Sequence, residues 1–232
     1  MMAQEQPVVA ILGEPGTFGE LAQALGRAGA QVLVTKTSNE LLDADGMIIP
    51  GHTSSIETYR TVQSFDAERV VGRRVAGGRP VLFAGAAFGM LFETMDDTTP
   101  AGTVEVKGMG EWPGHTCKLA AAGAPLGVQQ LVPAQESSLL HNLPGALRYK
   151  AEDGVLRWEF EQNIDYMRAP AVSWTQTTPP YIAAVENGPL TAVQFCPIAS
   201  GEPGEEFMRR WVASLPVTGR MSVVAENNVE EN

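Results

Sequence analysis

Pro80-Val81-Leu82-Phe83-Ala84-Gly85-Ala86-Ala87-Phe88-Gly89-Met90-Leu91-Phe92-Glu93 is the stretch whose reading decides the fold. The apolar run up to Ala84 reads as a buried strand. Gly85, with alanine on either side, reads as a tight turn, and the residues after it read as a helix. Just upstream, a helix over Ala67–Ala76 stops at Gly77-Gly78, and Arg79-Pro80 leads into the strand. Helix, strand, turn and helix in this order imply right-handed crossovers and a parallel sheet.

The same alternation extends towards the start of the chain. Residues 7–12 form a short apolar run bounded by Gly13-Glu14-Pro15-Gly16 and read as a first strand. Over 18–28, Leu21, Ala24, Leu25 and Ala28 share a helical face that Gly29 closes. Residues 31–36 read as a second strand, 39–44 as a short helical turn, and 46–50 as a third strand ending in the loop Gly51-His52-Thr53-Ser54. From Val104 onwards the segments become short and β-like, with turn signals at Trp112-Pro113-Gly114 and Leu143-Pro144-Gly145. Residues 181–186 and 190–195 read as a hairpin across Asn187-Gly188-Pro189. A last helix over 204–215 repeats Phe207, Trp211 and Leu215 at i, i+4 and i+8, so that face packs on the sheet. The expectation is one α/β domain over 1–218, with a mostly parallel central sheet flanked by helices and a β-rich insertion. An acidic, polar tail over 219–232 is expected to be disordered.

Composition narrows the function classes. The 232 residues carry 16 Lys+Arg against 27 Asp+Glu, a net charge of −11. That charge argues against nucleic acid or an anionic membrane as a partner. Cys117 and Cys196 are too few for a disulfide framework, which points to a reducing cytoplasm. The polar start Met1-Met2-Ala3-Gln4-Glu5-Gln6 lacks the basic n-region of a secretion signal. Two cysteines without a spaced histidine pair fall short of a metal site. Gly13-Glu14-Pro15-Gly16 lacks the Gly-Lys-Ser/Thr of a phosphate loop, so no cofactor is expected.

Several segments together carry a family resemblance. They are Leu42-Asp43-Ala44-Asp45-Gly46-Met47-Ile48-Ile49-Pro50-Gly51, Gly72-Arg73-Arg74-Val75-Ala76-Gly77-Gly78-Arg79-Pro80-Val81-Leu82, Leu91-Phe92-Glu93, Gly108-Met109-Gly110-Glu111-Trp112-Pro113-Gly114, Ala183-Ala184-Val185-Glu186-Asn187-Gly188-Pro189-Leu190 and Val193-Gln194-Phe195. In that order and spacing the chain resembles the glutaminase subunit of imidazole glycerol phosphate synthase, a class I glutamine amidotransferase of histidine biosynthesis, and most of all its actinobacterial branch. The resemblance covers roughly residues 8–215. It implies a cyclase-type (β/α)8 barrel as the partner, in a heterodimer, and glutamine hydrolysis by a Cys-His-Glu triad.

The departures fall where that chemistry would be. By the resemblance, Gly85 stands where the family has its cysteine, Cys196 where it has histidine, and Ile198 where it has glutamate. Gly89 replaces the glutamine after the turn. Gly51 and His52 stand at the oxyanion loop. Glycine offers no nucleophile. A thiol is a poor base beside imidazole, and isoleucine cannot orient one. The expectation is a catalytically inactive homologue kept as a partner or regulatory subunit. Two alternatives stay open: a divergent glutaminase or hydrolase built on Cys196 with His52, and a small-ligand sensor in the emptied pocket. Two segments that meet the cyclase in the family have drifted, around Gly16-Thr17-Phe18-Gly19 and Pro125-Leu126-Gly127-Val128-Gln129. An exposed apolar patch at the second would favour docking. Arg73-Arg74 reads as a solvated helix face. Trp112, Trp158, Trp174 and Trp211 read as core or edge packing.

Overall fold

A computed structural model describes residues 5–51, 54–159 and 169–217. The expected tail, 219–232, lies outside them. In chain order the elements are β1 (Val8–Leu12), α1 (Gly19–Arg27), β2 (Gln31–Thr35), α2 (Ser38–Asp43), β3 (Gly46–Gly51), α3 (Ser55–Ser64), α4 (Ala67–Ala76) and β4 (Val81–Gly85). A 3-10 turn, Ala86–Leu91, leads into β5 (Phe92–Thr99), β6 (Gly102–Lys107), β7 (Trp112–Lys118), β8 (Gly127–Gln129), β9 (Leu131–Val132), β10 (Leu147–Tyr149) and β11 (Asp153–Gly154). β12 (Ala171–Thr175), β13 (Ile182–Asn187), β14 (Leu190–Val193), a second 3-10 turn (Ile198–Ser200) and α5 (Glu202–Ala213) complete the chain.

The central sheet runs β2-β1-β3-β4-β14-β13-β12-β9. Pairing is parallel from β2 through to β14 and antiparallel from there to β9. Strand alternation sorts side chains onto two faces. Val9, Ile11, Ile48 and Leu82 pack with α1 and α5, through Leu21, Leu25, Phe207, Trp211 and Leu215. Ala10, Leu12, Met47, Ile49 and Phe83 pack with α2, α3 and α4, through Leu41, Tyr59, Val62, Val70 and Val71. The Phe207/Trp211/Leu215 stripe is therefore core, as its spacing predicts. Trp112 and Trp211 are buried, while Trp158 and Trp174 pack at the margin of the core. The β-rich insertion forms a second sheet, β11-β7-β5-β6, and a small ribbon, β10-β8.

Three local expectations need correction. The helix after Gly85 is only a 3-10 turn, because Phe92 is drawn at once into parallel pairing with Trp112 of β7. Its residues are apolar on every side and all buried, so no solvent face exists for a longer helix to present. Between β3 and α4 the chain forms a helix, α3, which the sequence reading passes over. And Arg74 is not solvated. It is fully buried, and its guanidinium donates to the carbonyls of Leu41 (2.7 Å), Leu42 (3.2 Å), Ala44 (2.9 Å), Asp45 (3.3 Å) and Pro80 (2.9 Å). It ties the end of α2 to the starts of β3 and β4. Burial, and then the charge of Arg79, push its pKa down to about 10, against the opposing pull of Asp45; it stays charged at neutral pH.

Candidate functional site

The parallel strands β1, β3, β4 and β14 end at one edge of the sheet. Ligand sites of open α/β sheets lie outside the carboxyl ends of the strands. Here that edge carries a half-open cavity of about 560 Å³. Gly85 lines it, at the end of β4. Gly51 lines it from the end of β3, next to Gly85 in register. Cys196 and Ile198 line it from the segment after β14, and Phe18, Gly19 and Glu20 from the start of α1. The structure thus brings Gly51, Gly85, Cys196 and Ile198 to one cavity. His52 lies outside the described residues, so the Cys196–His52 pairing does too.

The turn at Gly85 has φ 67° and ψ −132°, a conformation that essentially only glycine adopts without strain. Space is the second constraint. A Cβ placed on Gly85 would lie 2.6 Å from the carbonyl oxygen of Gly51. The backbone of Gly51 is itself pressed against Ala86 and Ala87, which leaves no room for a Cβ at Gly51 either. The ends of β3 and β4 are locked backbone to backbone. A carbonyl dipole, negative end outward, occupies the ground in front of the turn.

Cys196 is half-buried. Its amide donates to the Arg148 carbonyl at 2.8 Å, and its own carbonyl accepts from the Ser200 hydroxyl at 2.8 Å. Both bonds hold the backbone, and they anchor the 3-10 turn that carries Ile198. Ile198 packs against the α1/α5 side of the core. The other cysteine, Cys117, lies away from the cavity on β7. Burial, then the charges of Asp96 and Asp153, push its thiol up, away from the reactive thiolate.

Behind the turn sits a buried polar joint that the sequence reading misses. Asp153, buried on β11, accepts from the amide of Ser55 at 2.8 Å and pairs with Lys118 at 2.8 Å. Gln194 donates to the Asp153 carbonyl, and the Thr116 hydroxyl donates to the Gly89 carbonyl at 2.8 Å. Burial alone would lower the Lys118 pKa, but its hydrogen bond and charge contact with Asp153, helped by Glu152, outweigh burial and raise it. A Cβ on Gly89 would run into Ser55 and Thr116, so glycine here is required by packing. The joint fixes the start of α3 against the second sheet. Its only local signal in the sequence is the Ser54-to-Glu57 spacing of a helix cap.

The ribbon beside the cavity exposes Leu126 (36%) and Val128 (52%). Both lie in the segment 125–129.

Over 210 residues the chain is 39% identical to the imidazole glycerol phosphate synthase subunit HisH of Renibacterium salmoninarum, covering 90% of this chain and 94% of that one. The chain belongs to the HisH family. The corresponding subunit of Thermobifida fusca is 33% identical over 214 residues, 90% of this chain and all of its own length. No protein-family model matches. Among solved structures, a glutamine amidotransferase superposes with a TM-score of 0.56 at 17% identity, covering 89% of this chain and 99% of that one. That likeness establishes the fold, which is class I glutamine amidotransferase-like. In this HisH-family chain, no helix among the described residues is long and apolar enough to cross a membrane.

Proposed function

We propose that this chain is a HisH homologue that does not hydrolyse glutamine and serves as a partner or regulatory subunit of a cyclase-type barrel in histidine biosynthesis. Gly85, Cys196 and Ile198 stand at the three triad positions. The observation that supports this best is the Gly51 carbonyl oxygen, 2.6 Å from where the first side-chain atom of a nucleophile on Gly85 would be. The turn has no nucleophile, and the backbone around it has closed over the space one would need. A carbonyl oxygen there would also repel the oxyanion that acyl transfer must stabilise. Cys196 lies in the same cavity, but its thiol makes no hydrogen bond among the described residues, and Ile198 has nothing with which to orient a base.

Purified protein, alone and with the cyclase subunit and its nucleotide ligand, is expected to release no glutamate from glutamine above background. Turnover that Cys196→Ser abolishes would sink the reading and promote a relocated thiol.

The partner face is the edge that carries the start of α1 and the Pro125–Gln129 segment, numbered 125–129. The exposed Leu126 and Val128 support it, since an apolar pair rimmed by polar residues suits an interface core. The net charge of −11 favours a partner face that is basic or neutral, with association weakening as salt rises. Hydrogen exchange on the complex with the cyclase is expected to protect 16–19 and 125–129. Protection confined to the opposite edge, around Gly77-Gly78 and Asn187-Gly188, would end the docking model in this form.

A further inference from the structure

A second cavity, of about 420 Å³, opens at the other edge of the central sheet, where the Asn187-Gly188-Pro189 turn meets Pro80 and the end of α5. Its floor is one row of the sheet. Thr191 of β14 stands opposite Glu186 of β13, and Glu186 stands opposite Ala171 of β12. Leu190 and Ala192 pack on the α2/α3/α4 side, so Thr191 between them turns to the α5 side, where Trp211 and Leu139 line the same cavity. Thr191 is only 7% exposed, and its hydroxyl makes no hydrogen bond with a described residue. A buried hydroxyl without a partner is costly, and the space it faces is this cavity. Charge is the second observation. Glu136 and Glu186 both line the cavity, and none of the described residues that line it is basic. Neither carboxylate makes an ion pair with a described residue. Glu186 is nonetheless held in place: it accepts from the Ser137 hydroxyl and from the amide and hydroxyl of Ser138, at 3.0 and 2.8 Å. A carboxylate offers about four acceptor sites, so Glu186 keeps one open.

We propose that this cavity binds an aliphatic primary ammonium ion that carries no carboxylate. The ion's charge matches Glu136 and Glu186. Its N–H groups donate to Glu186 and to the Thr191 hydroxyl oxygen. Residues directly opposite on neighbouring strands hold their Cβ atoms about 4.5–5.5 Å apart, so one nitrogen can serve both. The hydrocarbon part lies along Pro80, Leu139, Pro189 and Trp211. A metal ion is a poorer match: among the described residues no group of three His, Cys, Asp or Glu side chains is placed to hold one. A zwitterion is a poorer match too, because its carboxylate would face two others with no base to pair it. A quaternary ammonium would meet the charge but has no N–H, and would leave Thr191 without a partner. The site lies away from Gly85 and from the segments 16–19 and 125–129, so the inference stands apart from the proposed loss of glutaminase activity and from the docking face.

The test is calorimetric titration of the full chain with n-butylamine, butyltrimethylammonium and 4-aminobutanoate. The second is butylamine without its N–H groups, and the third is butylamine with a carboxylate at its far end. Butylamine is expected to bind at least about tenfold more tightly than either. Thr191→Val keeps a β-branched side chain of the same outline. It is expected to weaken butylamine about tenfold and to leave butyltrimethylammonium unchanged. Glu136→Gln, at an exposed position, is expected to weaken both cations alike and to narrow the gap to 4-aminobutanoate. Loss of structure would not produce this split, and circular dichroism of both variants is expected to match the parent. Absence of butylamine binding at millimolar concentration overturns the proposal. So does butyltrimethylammonium or 4-aminobutanoate binding as tightly as butylamine, since the first would report attraction to the negative surface alone. Unchanged butylamine affinity in Thr191→Val would overturn the assignment of the hydroxyl, and unchanged affinities in Glu136→Gln would overturn that of the charge.

Discussion

Gly85→Cys is expected to give no glutaminase activity and to lower stability by about 1–3 kcal/mol. Two independent costs set the direction. The backbone at φ 67° and ψ −132° is strained for any residue with a Cβ. And that Cβ would lie 2.6 Å from the Gly51 carbonyl oxygen, well inside ordinary contact distance. Relief requires the end of β3 to move, and Gly51 is held in turn by the backbone of Ala86 and Ala87. The thiol gained in exchange has no base, since Cys196 and Ile198 are unchanged. Urea unfolding gives the stability, and glutamate release gives the activity. Adding Cys196→His and Ile198→Glu restores the missing groups, and weak turnover from the triple variant is consistent with the same account. Robust activity from the single change would mean that an unrecognised base lies within reach and that the Gly51 carbonyl turns aside readily.

The parts of this molecule that were legible in its sequence are those where one periodicity decides the outcome. β1, β3 and β4 are short runs of buried apolar residues closed by glycine or proline and carrying β-branched or aromatic side chains, and that length, bounding and content favour a buried strand over a helix. α5 was readable because Phe207, Trp211 and Leu215 repeat on one face. α3 was not, because its inward face rests on little more than Tyr59 and Val62, and serine, threonine and glutamate fill the rest. Its one clear signal was at the start: Ser54 followed three residues later by Glu57, and the Ser54 side chain does accept from the Glu57 amide, at 3.5 Å. The region after Gly85 misled for the opposite reason. Ala86–Leu91 is apolar throughout, and a fully buried segment has no period by which to tell a helix from a tight turn. Four residues that line the cavity, Gly51, Gly85, Cys196 and Ile198, were legible in the sequence, because each sits at the end of a strand or just after one. The closure of the Gly51 carbonyl over the turn was not, because backbone orientation leaves no trace in residue type.

Arg74 carries the largest stability effect expected. Arg74→Met is expected to destabilise the protein by about 3–5 kcal/mol, the range for removing one member of a buried pair of opposite charges, here Arg74 facing Asp45. Methionine fills much of the same volume, so the loss is not chiefly a cavity effect. It comes from carbonyls of the α2–β3 connection that lose their donor while remaining buried, together with Asp45, buried nearby, which loses the positive charge that faces it. Two of the carbonyls retain another partner: Leu42 still accepts from Arg79, and Pro80 from the Met47 amide. The cost therefore concentrates at Leu41, Ala44 and Asp45, at the entrance to β3. Arg74→Lys recovers little of it, because one ammonium cannot reach the spread of acceptors that a planar guanidinium spans. Arg73→Ala, on the exposed face of the same helix turn, is the control and is expected to change stability by no more than about 0.5 kcal/mol. Urea melts of the three variants decide the matter. An Arg74→Met protein as stable as the Arg73→Ala control would show that the guanidinium is replaceable by packing alone. A large loss at Arg74 alone would show that the strand ends meeting at the cavity are aligned from their far side, by one buried cation gripping the backbone.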